Sequence, residues 1–190
     1  MREDGHLAFY INKMEKLSGG TRNYSHRTKT LAKRRAEFDK VVSTHLYREE
    51  YFDKSGGYYV IHEGHNKINE EVNKEVLGAK ALAEHGYRAY LMSEKNYIEG
   101  FKKNDGFVDH ATVDFKTIST PGKYTVERAL KDASLQNAEL CVIIQNNKNA
   151  TREYIERQWE AYKIHAKGNE ARIKALWVVS MDGQRIHRHT

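Results

Sequence analysis

The sequence predicts an α/β protein with a mixed central β-sheet flanked by helices, preceded by a helical N-terminal segment. From residue 58 onward the hydrophobic period alternates between that of a helix and that of a strand, whereas the preceding residues are polar and helical in period. At 190 residues and 39% hydrophobic composition, the chain is long enough to bury a substantial core. We therefore predict a helical segment over residues 1–55 and an α/β domain over residues 56–190.

The N-terminal segment is dominated by one long helical pattern, "TKTLAKRRAEFDKVVSTHLYREEYF" at residues 28–52. The stretch "DKSGG" at 53–57 then breaks the pattern, because its glycines favour a turn. This break marks the predicted boundary between the two parts of the chain.

Beyond the break, helices and strands alternate. Residues 66–86 have the helical period and end at Gly86, a typical helix C-terminus, after which "YRAYLM" is typical of a strand. "GFVDHATVDFKTI" at 106–118 indicates a hairpin with a two-residue turn at Asp109 and His110. The remaining predicted elements are a helix at 125–138, a strand at 139–145, a helix at 150–168 and a last strand at 175–181.

Charge and composition narrow the functional classes. The net charge of +6 favours contact with a polyanion such as nucleic acid. No apolar run is long enough to cross a bilayer, so we expect no membrane anchor. The lone Cys141 lies in a predicted buried strand, which favours a reducing compartment. The sequence has no glycine-rich phosphate loop, which argues against an ATP- or NAD-using enzyme.

The motif "HEGH" places His62 and His65 three residues apart, whereas the helical zinc-protease motif needs a spacing of four. We therefore exclude that class. Both histidines precede the helix at 66–86, and we expect each to make local hydrogen bonds.

Two charged residues share one face of the second hairpin strand. In an extended chain residues i and i+2 point to the same side, so Asp114 and Lys116 lie together while Val113 and Phe115 take the other face. An ordinary ion pair on a solvated sheet face would explain this pattern. A functional site requires further residues that converge on the same place.

Glu75 is the first such residue. It falls within the apolar stripe of its helix, three residues after Val72 and four before Ala79. An unpaired carboxylate on a buried face would cost several kcal/mol. We therefore expect a cation or a strong hydrogen-bond donor near Glu75.

The hairpin supplies a second carboxylate. A two-residue turn at Asp109 and His110 pairs Val108 with Ala111 and, continuing outward, Asp105 with Asp114. Opposed like charges destabilise a sheet unless a cation lies between them, and oxygen ligands suit Mg²⁺ or another divalent cation such as Mn²⁺. In a competing interpretation "NDG" at 104–106 is a plain turn and Asp109 is the strand carboxylate, so Asp109 is the alternate metal ligand.

Together these side chains have the parts needed to hydrolyse a phosphodiester. Carboxylates at Glu75, Asp105 and Asp114 would hold a divalent metal that activates water and neutralises developing charge on the phosphate. Lys116 would position the water or stabilise the transition state.

At this point the chain resembles the PD-(D/E)XK nuclease superfamily over roughly residues 58–181. The resemblance implies a restriction-endonuclease-like αβββαβ core. In its motif, the helical Glu corresponds to Glu75, the first Asp to Asp105, the (D/E)-x-K pair to Asp114 and Lys116, and a helical Gln before the next strand to Gln136. Asn104 stands where the motif has Pro, and Asp114 stands where Glu is more usual.

The stretches from "GGYYVIHEGH" through "LKDASLQNAELCVII" further resemble the nuclease toxin domains of contact-dependent growth inhibition proteins and of phage head-morphogenesis-type polymorphic toxins. This resemblance implies a toxin that cleaves nucleic acid, with tRNA favoured over DNA, and a cognate immunity protein. It also implies action in the bacterial cytoplasm after delivery from another cell as part of a longer polypeptide. The alternatives are a DNA-cleaving nuclease of the same fold and a noncatalytic basic module that binds nucleic acid or serves as a phage structural protein.

Overall fold

In a computed structural model of the chain, residues 31–65, 70–93 and 104–190 are described. They form one eight-stranded mixed sheet with helices on both faces, which confirms the predicted fold class. The predicted helical pattern before residue 31 lies outside the described residues. The helices are α1 (Leu31–Val42), α2 (Glu70–Glu84), α3 (Thr125–Leu135) and α4 (Arg152–His165), with a 3₁₀ turn at Gly168–Glu170. The strands are β1 (Tyr47–Phe52), β2 (Tyr58–His62), β3 (Arg88–Leu91), β4 (Gly106–Val108), β5 (Ala111–Ile118), β6 (Leu140–Gln145), β7 (Ala175–Val179) and β8 (Ile186–His189).

The strands lie in the sheet in the order of the chain, from β1 at one edge to β8 at the other. The pairs β2–β3, β5–β6 and β6–β7 are parallel, and the other neighbours are antiparallel. Each parallel pair is joined by a helix because a parallel connection must return along the length of the sheet. The helices α2, α3 and α4 are these three crossovers.

The two faces of the sheet are covered differently. Helix α2 packs one face, where Ala79 and Leu82 join Val113 and Phe115 of β5 in a buried cluster. Helices α3 and α4 pack the other face. The buried residues of that second cluster include Val126, Leu130, Ile155 and Trp159 from the helices and Ile118, Cys141 and Ile143 from the strands.

Helix α1 lies on the same face as α3 and α4. Its Phe38 and Val41 pack on Tyr58 and Val60 of β2, which alternate with the residues that face α2. Helix α1 therefore covers the β2 side of this face and α3 covers β5 and β6. Strand β4 and the first half of β5 lie between the two helices. No helix of the described ranges is long and apolar enough to span a membrane.

The sheet has three strands that the sequence pattern did not predict. Tyr47–Phe52 was predicted as the end of the long N-terminal helix, but that helix ends at Val42 and the segment forms edge strand β1. Successive residues of a strand face opposite sides, so Tyr51 packs next to the α2 cluster and Phe52 next to the α1 cluster. A bulge between Tyr47 and Glu49 lets Tyr47 pack on the same side as Phe52. Strand β2 and the C-terminal edge strand β8 complete the sheet.

Candidate active site

The hairpin of β4 and β5 has the predicted register. Val108 pairs with Ala111 across a two-residue turn, and Gly106 pairs with Val113. The backbone N–H of Asp105 donates to the carbonyl of Val113 at 3.1 Å, which places Asp105 beside Asp114 at the open end of the hairpin. The competing register is wrong, because Gly106 begins strand β4 and Asp109 lies in the turn.

Asp105 is held against the backbone of β5. Its Oδ2 accepts a hydrogen bond from the Phe115 N–H at 2.6 Å. Burial raises the pKa of this carboxyl well above its ordinary value, and the charges of Asp114 and Glu75 raise it further. The next residue is Gly106, where any Cβ would lie 1.7 Å from the Tyr90 carbonyl oxygen, so only glycine permits this approach of β4 to β3.

Asp114 and Lys116 form a direct ion pair. Lys116 Nζ lies 2.6 Å from Asp114 Oδ2, and the Asp114 side chain has no exposed surface. Burial raises the pKa of Asp114, although the Lys116 charge opposes this shift. Burial lowers the pKa of Lys116, but Asp114 and then Asp105 more than offset it and the pKa is raised overall. Lys116 is therefore a cation at neutral pH and suits the stabilisation of negative charge rather than proton abstraction.

Glu75 has the donor that its place on the apolar stripe requires. His65 Nε2 lies 3.0 Å from Glu75 Oε2, and the His65 side chain is fully buried. The expectation of a cation or strong donor near Glu75 is thus confirmed. His65 Nδ1 lies 2.7 Å from the Met92 carbonyl oxygen. The imidazole thus lies between two oxygen atoms, one from the Met92 backbone and one from the Glu75 side chain, and its tautomer sets which ring nitrogen donates.

The sequence-based expectation for the two histidines holds for one of them. His62 makes a local bond, in which its Nδ1 accepts from the Gly64 N–H at 2.9 Å. His65 instead bridges α2 and the residue after β3. These contacts of His65 could not be predicted from local spacing, because Glu75 lies ten residues away in sequence and Met92 lies 27 residues away.

A continuous set of contacts connects Glu75 to Asp105. His65 links the Glu75 carboxylate to the Met92 carbonyl, and the Met92 N–H donates to the Asp105 carbonyl at 2.9 Å. The charge of Glu75 also contributes to the raised pKa of both Asp105 and Asp114. The structure therefore brings Glu75 into the electrostatic environment of the hairpin pair.

The other two predicted residues lie in different surroundings. Asp109 is at the turn, where its Oδ1 lies 2.8 Å from Arg88 Nε and 3.8 Å from Arg34 Nη1. Gln136 follows the last residue of α3 and is half-buried. At 100° per residue it lies about 180° around the helix from Glu127, which contacts His165 of α4. Gln136 thus lies on the side of α3 away from the Glu127–His165 contact.

The carboxylates of Asp105 and Asp114 are suitable ligands for a divalent cation. Asp105 and Asp114 present oxygen ligands, which Mg²⁺ and Mn²⁺ prefer. A cation between them would offset the burial that raises the pKa of both carboxyls and the Asp114 charge that further raises the pKa of Asp105. Within residues 31–65, 70–93 and 104–190, no group of three or more His, Cys, Asp or Glu side chains is arranged to hold a metal ion. The pair Asp105 and Asp114, rather than a three-residue cage, is accordingly the candidate metal position.

We found no match to this chain among known protein families, characterised proteins or solved structures.

Proposed function

We propose that the chain is a metal-dependent endonuclease, a phosphodiester hydrolase that acts as a toxin on RNA. The observation that carries the proposal is the pair of acidic residues at the open end of one hairpin, with Lys116 bound to Asp114 at 2.6 Å. A buried carboxylate pair next to a cationic lysine combines ligands for a metal with a donor for a phosphate. Perturbed carboxyl groups of this kind cluster at functional sites.

In the proposed site Asp105 and Asp114 hold a Mg²⁺ or Mn²⁺ ion, and Glu75 completes or orients its surroundings. The ion, when bound, supplies activation of water and neutralisation of charge on the phosphate. Lys116 stabilises the negative charge that develops on the phosphate or positions the attacking water. Gln136, at the C-terminal end of α3, helps to hold Lys116 or the phosphate.

The order of elements supports membership of the PD-(D/E)XK superfamily. Helix α2 carries Glu75 and is followed by β3, the β4–β5 hairpin, α3 and β6. This is the αβββαβ order that the motif implies. Strand β5 runs antiparallel to β4 and parallel to β6, so Asp114 and Lys116 lie in the interior of the sheet.

The preferred substrate is tRNA. Its support is the resemblance to toxin domains together with the net charge of +6, which favours a polyanion. The same resemblance leads us to propose a small acidic immunity protein as a partner. It also leads us to propose delivery from another cell as part of a longer polypeptide and action in the bacterial cytoplasm.

The test is to incubate the purified chain with total tRNA and with plasmid DNA, in Mg²⁺, in Mn²⁺ and in EDTA. We expect cleavage of tRNA with a divalent cation and none in EDTA. Lys116→Met should lower the cleavage rate by about 100-fold, the scale on which loss of one charge-stabilising donor acts, and should leave RNA binding nearly unchanged. Fragmented DNA with intact tRNA would reverse the choice of substrate.

A matched control is Lys131→Met. Lys131 and Lys116 have similarly exposed side chains, at 29% and 25%, but Lys131 pairs with Glu127 and Glu170 on the α4 side of α3. Equal losses in both variants would mean that lysines contribute only general charge, and no cleavage with any divalent cation would refute the nuclease proposal.

The second candidate is a noncatalytic basic module that binds nucleic acid. It is favoured by the direct neutralisation of Asp114 by Lys116, which makes the pair stable without a metal. Such a module would bind RNA in a salt-dependent manner that EDTA does not change. It would lose at most one phosphate contact in Lys116→Met.

A further inference from the structure

We propose that His65 is a positioning residue that fixes the Glu75 carboxylate relative to Asp105. The inference rests on the proposed nuclease site and adds to it a residue outside the acidic motif. One imidazole contacts α2 through Glu75 and, through the Met92 carbonyl, the residue after β3 whose own N–H bonds the Asp105 carbonyl.

The loop that carries His65 is itself tightly held. The His65 N–H donates to the His62 carbonyl at 2.9 Å, and Arg48 Nη1 donates to the His65 carbonyl at 3.1 Å. Gly64 packs closely on Ser93: any Cβ at position 64 would lie 2.2 Å from the Ser93 hydroxyl oxygen. The imidazole therefore has little freedom to follow Glu75, and Glu75 must follow the imidazole.

The contact determines the orientation of a flexible side chain. A glutamate on a helix has three rotatable side-chain bonds, and the helix backbone alone does not fix its carboxylate. His65 Nε2 holds Oε2 at 3.0 Å, while His65 Nδ1 is bound to the residue whose N–H donates to Asp105. The distance between Glu75 and the hairpin carboxylates is thus set through His65.

Two substitutions separate the two ends of the imidazole. In His65→Gln the amide nitrogen reaches close to the position of Nε2 and can still donate to Glu75. In His65→Asn the amide nitrogen lies close to the position of Nδ1 and can donate only to Met92. A positioning role predicts that Gln preserves function and Asn does not, whereas a role in holding the loop predicts the reverse.

The experiment measures Mn²⁺ affinity by calorimetry and the kcat and KM for tRNA cleavage. In His65→Asn we expect Mn²⁺ affinity and kcat each to fall by about 10- to 100-fold, the usual effect of losing a group that orients a ligand, with KM little changed. In His65→Gln both the Mn²⁺ affinity and kcat should stay within about threefold of the wild-type values. His165→Gln on α4, where the side chain is 56% exposed, is the matched control and should change neither quantity.

A second arm uses Glu75→Gln as the background. If His65 acts through Glu75, then His65→Asn should cause no further loss there, because the two changes remove one interaction. Additive losses, or equal losses in His65→Asn and His65→Gln, would overturn the positioning role. If the wild type cleaves no nucleic acid but Mn²⁺ binding still depends on His65 only when Glu75 is present, the nuclease proposal fails and the positioning role stands. Absence of both cleavage and Mn²⁺ binding in the wild type would overturn both.

Discussion

The two ends of the β4–β5 hairpin carry the same residue type in opposite electrostatic surroundings. At the turn, Asp109 lies 2.8 Å from Arg88 Nε and 3.8 Å from Arg34 Nη1. At the open end, burial and then the charges of Asp114 and Glu75 raise the pKa of Asp105 well above its ordinary value. The turn end is therefore electrostatically satisfied by the fold, while the open end retains excess negative charge that a cation could neutralise.

Both ends of the hairpin carry aspartates, and the difference between the ends comes from the arginines, which lie beside Asp109. Arg88 also bonds Glu37 of α1 at 3.3 Å, so the turn end attaches that helix to the hairpin. The two arginines beside Asp109 are nearly buried, with side-chain exposures of 8% for Arg34 and 11% for Arg88. Among the described residues, Lys116 pairs with Asp114 at this open end and the His65 imidazole contacts the nearby Glu75.

The largest expected difference is in activity. Asp105→Asn should reduce tRNA cleavage by at least about 100-fold, because the amide removes a charged metal ligand while its oxygen can still accept from Phe115. Asp109→Asn should leave the rate per folded molecule within about threefold of the wild type, since Asp109 lies away from the carboxylate pair. Cleavage rates of the two variants are measured at matched fractions of folded protein. An inactive Asp109 variant beside an active Asp105 variant would show that the metal site lies at the turn end of the hairpin.

A smaller effect is expected on the response to metal. Saturating Mg²⁺ at about 100 times its Kd should raise the free energy of unfolding by about 2.7 kcal/mol, by mass action. Asp105→Asn should remove the repulsion from Asp114, stabilise the metal-free protein and abolish this response. Thermal unfolding with and without Mg²⁺ tests both effects. An unchanged Mg²⁺ response in Asp105→Asn would show that the metal binds away from the open end of the hairpin.

The smallest effect is the loss of stability at the turn. From sequence alone, Asp109→Asn would be nearly neutral, because Asn is readily accepted in turns and tolerates the left-handed backbone at φ 52°. The contacts with Arg88 and Arg34 change this expectation to a loss of about 1–2 kcal/mol in the free energy of unfolding, because two nearly buried arginines lose the Asp109 carboxylate, although Arg88 keeps its contact with Glu37.

Urea denaturation in EDTA measures this loss. Asp39→Asn is the control, since Asp39 pairs with Arg35 on the exposed surface of α1 and its loss should be below about 0.5 kcal/mol. Equal effects in the two variants would show that the turn arginines do not need Asp109.

The centre of the fold was predictable because local rules determine it. A two-residue turn fixes which residues pair, so the pairing of Val108 with Ala111 and of Gly106 with Val113 followed from the position of Asp109 and His110. The helical period likewise placed Glu75 on the side of α2 that needs a donor. Both inferences depend only on residues close in sequence.

The edges of the sheet and the role of His65 were not predictable in this way. Edge strands β1 and β8 pair on one side only, so "YREEYF" and "IHRH" contain many polar residues and lack a clear strand pattern. Strand β2 is buried on both faces, and its short apolar run does not distinguish strand from helix. His65 meets Glu75 and Met92 only through the tertiary arrangement of three elements.

The short turn of the hairpin has a consequence for how this chain can change over evolutionary time. A strand alternates its faces residue by residue, so one inserted or deleted residue between Val108 and Ala111 would shift the register of β4 by one position. Such a change would bring Asn104 or Gly106 opposite Asp114, four or more residues away from the alteration. The turn should therefore accept no change of length, and length variation there would mark descendants that have abandoned the acidic pair.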